Sequence, residues 1–403
     1  MFDVCVIGGG ASGMAAAIAA AEKNSSASVV LLEKNSKLGK KLLATGNGRC
    51  NLSNSEIIDQ GEVSGFFERI GLLLRTEEQG RMYPYSGKAL DVNKALNLRI
   101  STLGIKVMTE FQVSKLTETF GGYLISGEKK GTIEARKVVL ATGGKAAPQY
   151  GSTGDGYAIL KTFGHEATRL APGLTWLACK EYNDSLKGLR IKAKISLVLK
   201  NATLEEELGE IQFTRDGLSG ICIFNLSNHV TLDHNIDFSD YQLSIDFMPD
   251  YSDDELRALI DKRSGIRNLD IKDLLLSVVP EALGIEILRR ALMSDAGYLG
   301  KTADLSVMDK QRISSQIKNF CYTVSNAGGW KDAQITRGGL GCDQIHSVTK
   351  ESLIKPGLFI AGELLEYAGP CGGFNLYHAW HTGLAAGRNA MEAALIEHRR
   401  NNV

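Results

Sequence analysis

The sequence predicts an α/β fold: a Rossmann-like domain assembled from both chain ends, enclosing an insert of strands that itself carries a helical subdomain. Three observations predict it. A short β-rich run, Val4 to Ile7, meets a glycine run and the alanine-rich stretch Met14 to Lys23, and a second apolar run follows at Val29 to Leu32. That order reads as β-α-β with parallel strands. At the far end, Leu358 to Ala361 reads as one more buried strand and Tyr377 to Glu397 as a long final helix. Between them the character changes near Pro172: residues up to about Phe247 read as short strands, and Tyr251 to about Phe320 as helices.

The 403 residues exceed one core of ordinary size, so two or three domains are expected. The expected boundaries are 1–171 with 336–403 for the discontinuous domain, 172–250 with 320–335 for a β-rich substrate domain, and 251–319 for the helical subdomain. Within the first domain, a glycine-rich loop precedes a helix over Val92 to Leu103 and a strand over Ile105 to Met108. Phe111 to Lys137 alternates with glycine turns and predicts a small antiparallel meander. Val138 to Leu140 reads as a separate buried strand, closed by Ala141-Thr142-Gly143-Gly144. In the insert, Ser252 and Glu255 have the spacing of a capping box that opens the first helix. Cys321 to Val324 reads as a strand again. The chain shows no internal repeat or low-complexity tract.

Composition excludes several classes of function. The apolar fraction is 43%, ordinary for a globular protein. Lys+Arg and Asp+Glu both number 46, so no global basic field exists to hold nucleic acid or an anionic membrane. The local basic run Lys34 to Lys41 reads as a solvated loop. Seven scattered cysteines without a Cys-x-x-Cys pair argue against a disulfide scaffold and a structural zinc site, and fit a reducing compartment. Phe2 and Asp3 run directly into a strand without a basic leader, and no apolar stretch is long enough to span a bilayer. A cytoplasmic location, without membrane, metal or nucleic-acid partner, is expected.

Gly8, Gly10 and Gly13 form a dinucleotide fingerprint. The first permits the tight turn, the second lets backbone approach a pyrophosphate, and the third lets helix and strand pack closely. Ala11 and Ser12 open the helix, whose N-terminus offers amide donors to phosphate. Glu33 follows 20 residues after the last glycine, at the end of the second strand, where a carboxylate binds ribose hydroxyls. It also disfavours a 2′-phosphate by charge repulsion. The plainer alternative is a ligand-free βα turn. NAD and FAD share this fingerprint, and the discriminating segment is Pro356 to Glu363. It resembles the late strand of FAD proteins of the glutathione reductase class, which brings a carboxylate to the ribityl chain or pyrophosphate; Glu363 resembles that acid. Gly369 to Gly373 and Asn375 follow, then the final helix, whose N-terminus is placed to stabilise negative charge on a reduced flavin.

The stretch Lys37-Leu-Gly-Lys-Lys-Leu-Leu-Ala-Thr-Gly-Asn-Gly-Arg-Cys-Asn51 resembles the signature of the BaiN/YhiN-like flavoproteins, a family that includes aminoacetone oxidase. Gly151-Ser-Thr-Gly-Asp-Gly156, Gly217-Leu-Ser-Gly220, Thr336-Arg-Gly-Gly339 and Gly372-Gly-Phe-Asn-Leu376 are similar to its other motifs. The resemblance covers nearly the whole chain. It implies an FAD domain, a β-barrel-like domain and a helical domain, with FAD at the fingerprint but no single substrate. The residues expected to contact FAD are Gly8, Gly10, Ala11, Ser12, Gly13, Glu33, Lys34, Lys41, Gly46, Gly48, Arg49, Cys50, Asn51, Val113, Ala141, Thr142, Gly143, Gly362, Glu363, Gly373, Phe374, Asn375 and Leu376. Glycine at 46 and 48 lets backbone lie close to a flat ring, and Asn47 and Asn51 offer amide hydrogen bonds. Arg49 is open to three readings: a flavin contact, a substrate contact, or the partner of a buried carboxylate.

Other residues are read conservatively. Cys50 and Cys371 lack the spacing of dithiol reductases and read as small buried cysteines. His378 and His381 share one face of the final helix; packing is preferred to a proton relay or flavin contact. Tyr83, Pro84 and Tyr85 either line a substrate pocket or form an ordinary aromatic loop. The function expected is hydride transfer between a small organic substrate and FAD, with amine oxidation as one form. The alternatives are NADH-linked reduction of an enone-like substrate and a low-turnover flavin-binding redox sensor. No side chain stands out as acid or base. One fingerprint means one nucleotide domain, so NADH would visit transiently, with dioxygen as the other exchange partner. The substrate pocket is expected between insert and flavin, with mobile crossings near Pro172–Gly173 and Thr336–Gly341.

Overall fold

The computed structural model describes residues 1–230, 236–293 and 299–401. The chain divides into two compact units, Met1–Gly173 with Trp330–Val403, and Leu174–Gly329.

The first unit opens with β1 (Phe2–Ile7), α1 (Ala11–Lys23) and β2 (Val29–Leu32). β1 and β2 pair in parallel, with Val4 opposite Val29 and Ile7 opposite Leu32. All four residues of β2 are buried, as a sheet covered on both faces requires. A segment whose structure the sequence did not reveal follows: β3 (Ser53–Asn54), α2 (Gly61–Arg69), β4 (Leu74–Thr76) and β5 (Arg81–Pro84). The three strands make their own small antiparallel sheet, in the order β3-β5-β4. α3 (Ala89–Thr102) and β6 (Lys106–Met108) then extend the parallel sheet beside β2.

β7 (Val113–Thr119), β8 (Gly122–Gly127) and β9 (Thr132–Leu140) form the meander. β9 corrects the sequence reading, which separated Val138–Leu140 from the meander. It is one strand with two partnerships: Thr132 to Ala135 pair antiparallel with β8, while Ala135 to Leu140 pair in parallel with β1. No turn residue interrupts it, so the meander and the Rossmann sheet are one sheet. α4 (Asp155–Lys161) and β10 (Ala171–Gly173) complete this part.

The second unit contains a closed barrel of β11 (Leu177–Cys179), β12 (Arg190–Leu199), β13 (Ala202–Phe213), β14 (Gly217–Ser219), β15 (Tyr241–Asp246) and β16 (Phe320–Ala327). Its strand order is β11-β14-β13-β12-β15-β16. Expected as short strands, β12 and β13 are instead 10 and 12 residues long. Alternation explains β12: Ala193, Ile195 and Leu197 are buried, while Lys192, Lys194 and Ser196 point outward. α5 (Ile221–Ser227) lies between β14 and β15. α6 (Asp253–Ser264), α7 (Glu281–Leu292) and α8 (Val307–Lys318) supply the helical part, and the expected capping box at Ser252 and Glu255 is present. Part of the predicted strand and helix regions, 231–235 and 294–298, lies outside the described residues. Barrel and helices share one core, in which Ile195 and Phe213 join Leu256, Ile287 and Ile313.

The chain returns to the first unit through β17 (Ile335–Arg337), β18 (Leu358–Ile360) and α9 (Phe374–Asn401). β18 pairs in parallel with β9. β17 pairs antiparallel with β10, Pro172 opposite Thr336, so residues 172–173 and 330–335 belong to this unit and not to the insert. Among the described residues, no helix is long and apolar enough to cross a membrane.

Candidate cofactor site

The β1–α1 turn shows why each fingerprint glycine is required. Gly8 has φ +109°, and a Cβ there would stand 2.4 Å from the Ala141 carbonyl oxygen. A Cβ on Gly13 would stand 1.8 Å from the Gly8 carbonyl oxygen. Around Gly10, by contrast, no heavy atom of the described residues beyond its own stretch of chain lies within 4 Å of that position, so this glycine faces open space. No side chain caps α1 and its first turn carries no acid, which leaves the helix N-terminus to an external anion. Ala11 and the buried Ser12 form that first turn.

Glu33 stands at the end of β2 against this turn and is buried. Its Oε2 accepts from the Gly9 amide at 2.8 Å, and its Oε1 accepts from both the backbone and side-chain nitrogens of Asn35 at 2.7 Å. Oε2 thus has one protein donor and keeps capacity for a hydroxyl. The Phe111 amide donates to the Glu33 carbonyl at 2.9 Å, which brings the start of β7, with half-buried Val113, alongside. Asn35, which fixes the carboxylate, escaped the sequence reading; nothing in its position marks it. Lys34 is engaged by Asp155 and Thr153, both at 2.6 Å.

A second group gathers at the end of β18. Lys41 Nζ lies 2.8 Å from Glu363 Oε2, and the Thr336 amide donates to Glu363 Oε1 at 2.7 Å. A Cβ on Gly362 would stand 2.4 Å from Ser12 Oγ, so the start of α1 and the end of β18 touch. Ala141, Thr142 and Gly143 follow β9; the Ala141 amide donates to Ile7 and the Ala361 amide to Leu140. Thr142 Oγ1 is buried without a hydrogen-bond partner among the described residues.

The third group is the tight turn after Lys41. Gly46, Asn47, Gly48 and Cys50 all take positive φ, and the Cys50 amide closes onto the Thr45 carbonyl at 3.0 Å. Arg49 meets Glu77 at 2.5 Å and lies 4.1 Å over the Tyr83 ring. Its carboxylate partner is therefore half-exposed, not buried. Cys50 is buried, and burial pushes its thiol up to about 12, which leaves it unreactive. Cys371 corrects the expectation of a second buried cysteine: its loop leaves it half-exposed.

Asn51 Oδ1 is buried without a hydrogen-bond partner among the described residues, and a Cβ on Gly373 would stand 2.9 Å from it and 2.1 Å from the Ser53 carbonyl oxygen. Phe374, Asn375 and Leu376 open α9. Asn375 is spent on its own loop, exchanging hydrogen bonds with the Gly369 amide and carbonyl at 3.0 and 2.9 Å. His378 stacks on Tyr367 at 4.3 Å, and its Nε2 is buried without a hydrogen-bond partner among the described residues. Burial, with Lys350 and His381 nearby, lowers its pKa to about 4, so it is neutral at physiological pH. His381 stacks on Tyr377 at 5.8 Å. An extended dinucleotide fits these features: open space at Gly10, spare acceptor capacity on Glu33, and orphaned polar atoms on Thr142 and Asn51.

Comparison with known proteins follows the same lines. The HI0933-like protein Rossmann domain family matches residues 2–64 and 58–389. The chain is 32% identical to a 3-dehydro-bile acid delta(4,6)-reductase of Clostridium scindens, over 96% of this chain and 98% of that protein. It is 23% identical to a ribosomal RNA dihydrouridine synthase of Escherichia coli, over 97% of this chain and 98% of that protein. A flavocytochrome c3 fumarate reductase in its open conformation has a related fold, with TM-score 0.50 and 18% identity over 98% of this chain and 78% of the other.

Proposed function

The chain belongs to the HI0933-like flavoprotein family, and from that premise we propose that it reduces a conjugated, enone-like small molecule by hydride transfer from reduced FAD, and that a transiently bound NADH, itself oxidised to NAD+, returns the hydride to the oxidised flavin. It is an FAD-dependent oxidoreductase, as the family match and the full-length reductase relative establish. One observation carries the proposed placement of FAD: the Gly8–Gly13 turn, Glu33, and the Glu363–α9 end lie in one compact unit. The 32% relative supports the substrate class, since its name describes reduction of an unsaturated bile acid.

The bound flavin supplies the hydride chemistry; the protein supplies position, electrostatics and exclusion of water. Glu33, whose carboxylate Asn35 and Gly9 hold still, would accept ribose hydroxyls. Gly10 and the α1 N-terminus would receive the pyrophosphate. Lys41 and Glu363 would hold the polar chain of the cofactor. The turn Gly46–Asn51 and the start of α9 would hold the ring, and the helix N-terminus would favour negative charge on it. RNA is the second reading, raised by the dihydrouridine synthase relative. A chain with 46 cationic and 46 anionic residues lacks the net positive charge that a polyanion would favour.

Two measurements test the cofactor placement. Denaturing the purified yellow protein is expected to release one non-covalent FAD per chain; a colourless protein that FAD cannot reconstitute overturns the reading. Glu33→Ala is expected to weaken FAD binding about tenfold or more without unfolding the chain, because a charged acceptor contributes about 1.5–3 kcal/mol. Titration of apoprotein with FAD reads this out, and unchanged affinity would remove Glu33 from the site.

A further inference from the structure

Thr336 is the fully buried middle residue of β17, and two other stretches of chain bond to it. Its Oγ1 accepts from the amides of Lys145 and Ala146 at 2.7 and 3.0 Å. Its own amide donates to Glu363 Oε1 at 2.7 Å, while the other carboxylate oxygen pairs with Lys41. The Tyr157 hydroxyl donates to the Glu363 carbonyl at 3.0 Å, fixing the backbone of the same residue. Gly144 completes the arrangement: a Cβ there would stand 2.3 Å from Thr336 Oγ1 and 3.1 Å from Glu363 Cδ.

We infer that Thr336 is a positioning residue for the FAD site, which acts by holding the Glu363 carboxylate and the loop after Gly143 in one geometry. The inference rests on the placement of FAD proposed above. Among the described residues the hydroxyl is the only acceptor for the two neighbouring amides, and the backbone donor on the same residue helps set the rotation of the Glu363 carboxylate. Loss of the hydroxyl frees the 144–146 loop, and with it the wall against which Glu363 and Lys41 are arranged. Supporting shells of this kind typically change ligand affinity by about 10- to 100-fold when broken. The role needs an oxygen at Cβ but no methyl group, so serine serves where valine does not.

The test is FAD affinity measured on apoproteins, with the absorbance spectrum of bound flavin as a second readout. Thr336→Val is expected to bind FAD about tenfold more weakly, and Thr336→Ser within about twofold of the unaltered protein. In a Glu363→Gln background, Thr336→Val should cost much less than it does alone, because the Thr336 hydroxyl, bonded to the amides of Lys145 and Ala146, acts on FAD only through the placement of the Glu363 carboxylate. Gly144→Ala, which presses on the same two groups from the other side, should reproduce the loss and carries the test if Thr336→Val does not fold. Unchanged affinity in Thr336→Val, serine as damaging as valine, or full additivity with Glu363→Gln each overturns the inference. Failure of the unaltered protein itself to bind FAD would instead overturn the cofactor placement on which it rests.

Discussion

Gly387→Val is expected to lower the stability of the first unit by about 3 kcal/mol and to weaken FAD binding with it. The reason is the crossing of α1 and α9. A Cβ on Gly387 would stand 2.0 Å from the Ala16 carbonyl oxygen, and one on Gly383 would stand 2.3 Å from that of Ser12. The two glycines lie one turn apart on α9 and meet two residues one turn apart on α1, so the helix backbones touch along a stripe. A side chain cannot be absorbed by rotamer change, because the obstacle is backbone; the helices must separate. α1 is the helix whose N-terminus faces the open space at Gly10, so separation also shifts the phosphate-binding amides. Thermal unfolding and FAD titration of the variant check both consequences. A variant as stable as the parent would show that the helices are not held this close.

Glu286→Ala is expected to cost the second unit about 3–5 kcal/mol, the range for breaking a buried ion pair from one side. Glu286 is 1% exposed on α7. Arg289 grips it through two nitrogens at 2.9 and 2.8 Å, Arg290 adds a bond at 2.8 Å, and Asn183 adds another at 2.6 Å. Arg290 continues to the carbonyls of Cys321 and Glu181 and stacks 4.1 Å over Phe320, so the acid ties α7 to the barrel strand β16. Burial alone would raise the carboxyl pKa, but the bonds from Arg289, Arg290 and Asn183 outweigh it and leave it at about 2, below the ordinary 4.5. A depressed folded pKa gives stability that is present above about pH 4.5 and is lost as pH falls toward 2. Urea unfolding at pH 7 and pH 3 separates the cases: the difference between parent and variant should shrink at the lower pH. A variant loss that is equally large at both would contradict the charge-based explanation.

The ends of the chain were readable because their constraints are local. β2 matches its expected span residue for residue, and α1 begins three residues before the expected Met14, since Ala11 to Gly13 already take helical geometry in the fingerprint. The segment 51–91 was not readable as structure. Its strands are two to four residues long, too short for alternation to show, although Val63, Phe66 and Phe67 carried the i, i+3, i+4 signature of the buried face of α2. The candidate site divides in the same way. Glycines at steric contacts and acids at strand ends mark themselves by residue type and spacing. The partners that fix them do not: Glu77 on Arg49 and Thr336 on Glu363 are chosen by the tertiary fold over separations of 28 and 27 residues, and Asn35, two residues from Glu33, is turned onto it by local backbone that its residue type does not announce.

The most direct measurement of FAD-dependent hydride transfer is anaerobic absorbance spectroscopy of the purified protein. NADH is expected to bleach the oxidised flavin band, and a conjugated enone of the class proposed above is expected to restore it, with one reduced product formed per flavin. Bleaching by an amine in the absence of NADH would mark an amine oxidase instead. A flavin that neither NADH nor an amine reduces, and that no enone reoxidises after chemical reduction, would contradict catalytic hydride transfer in this protein.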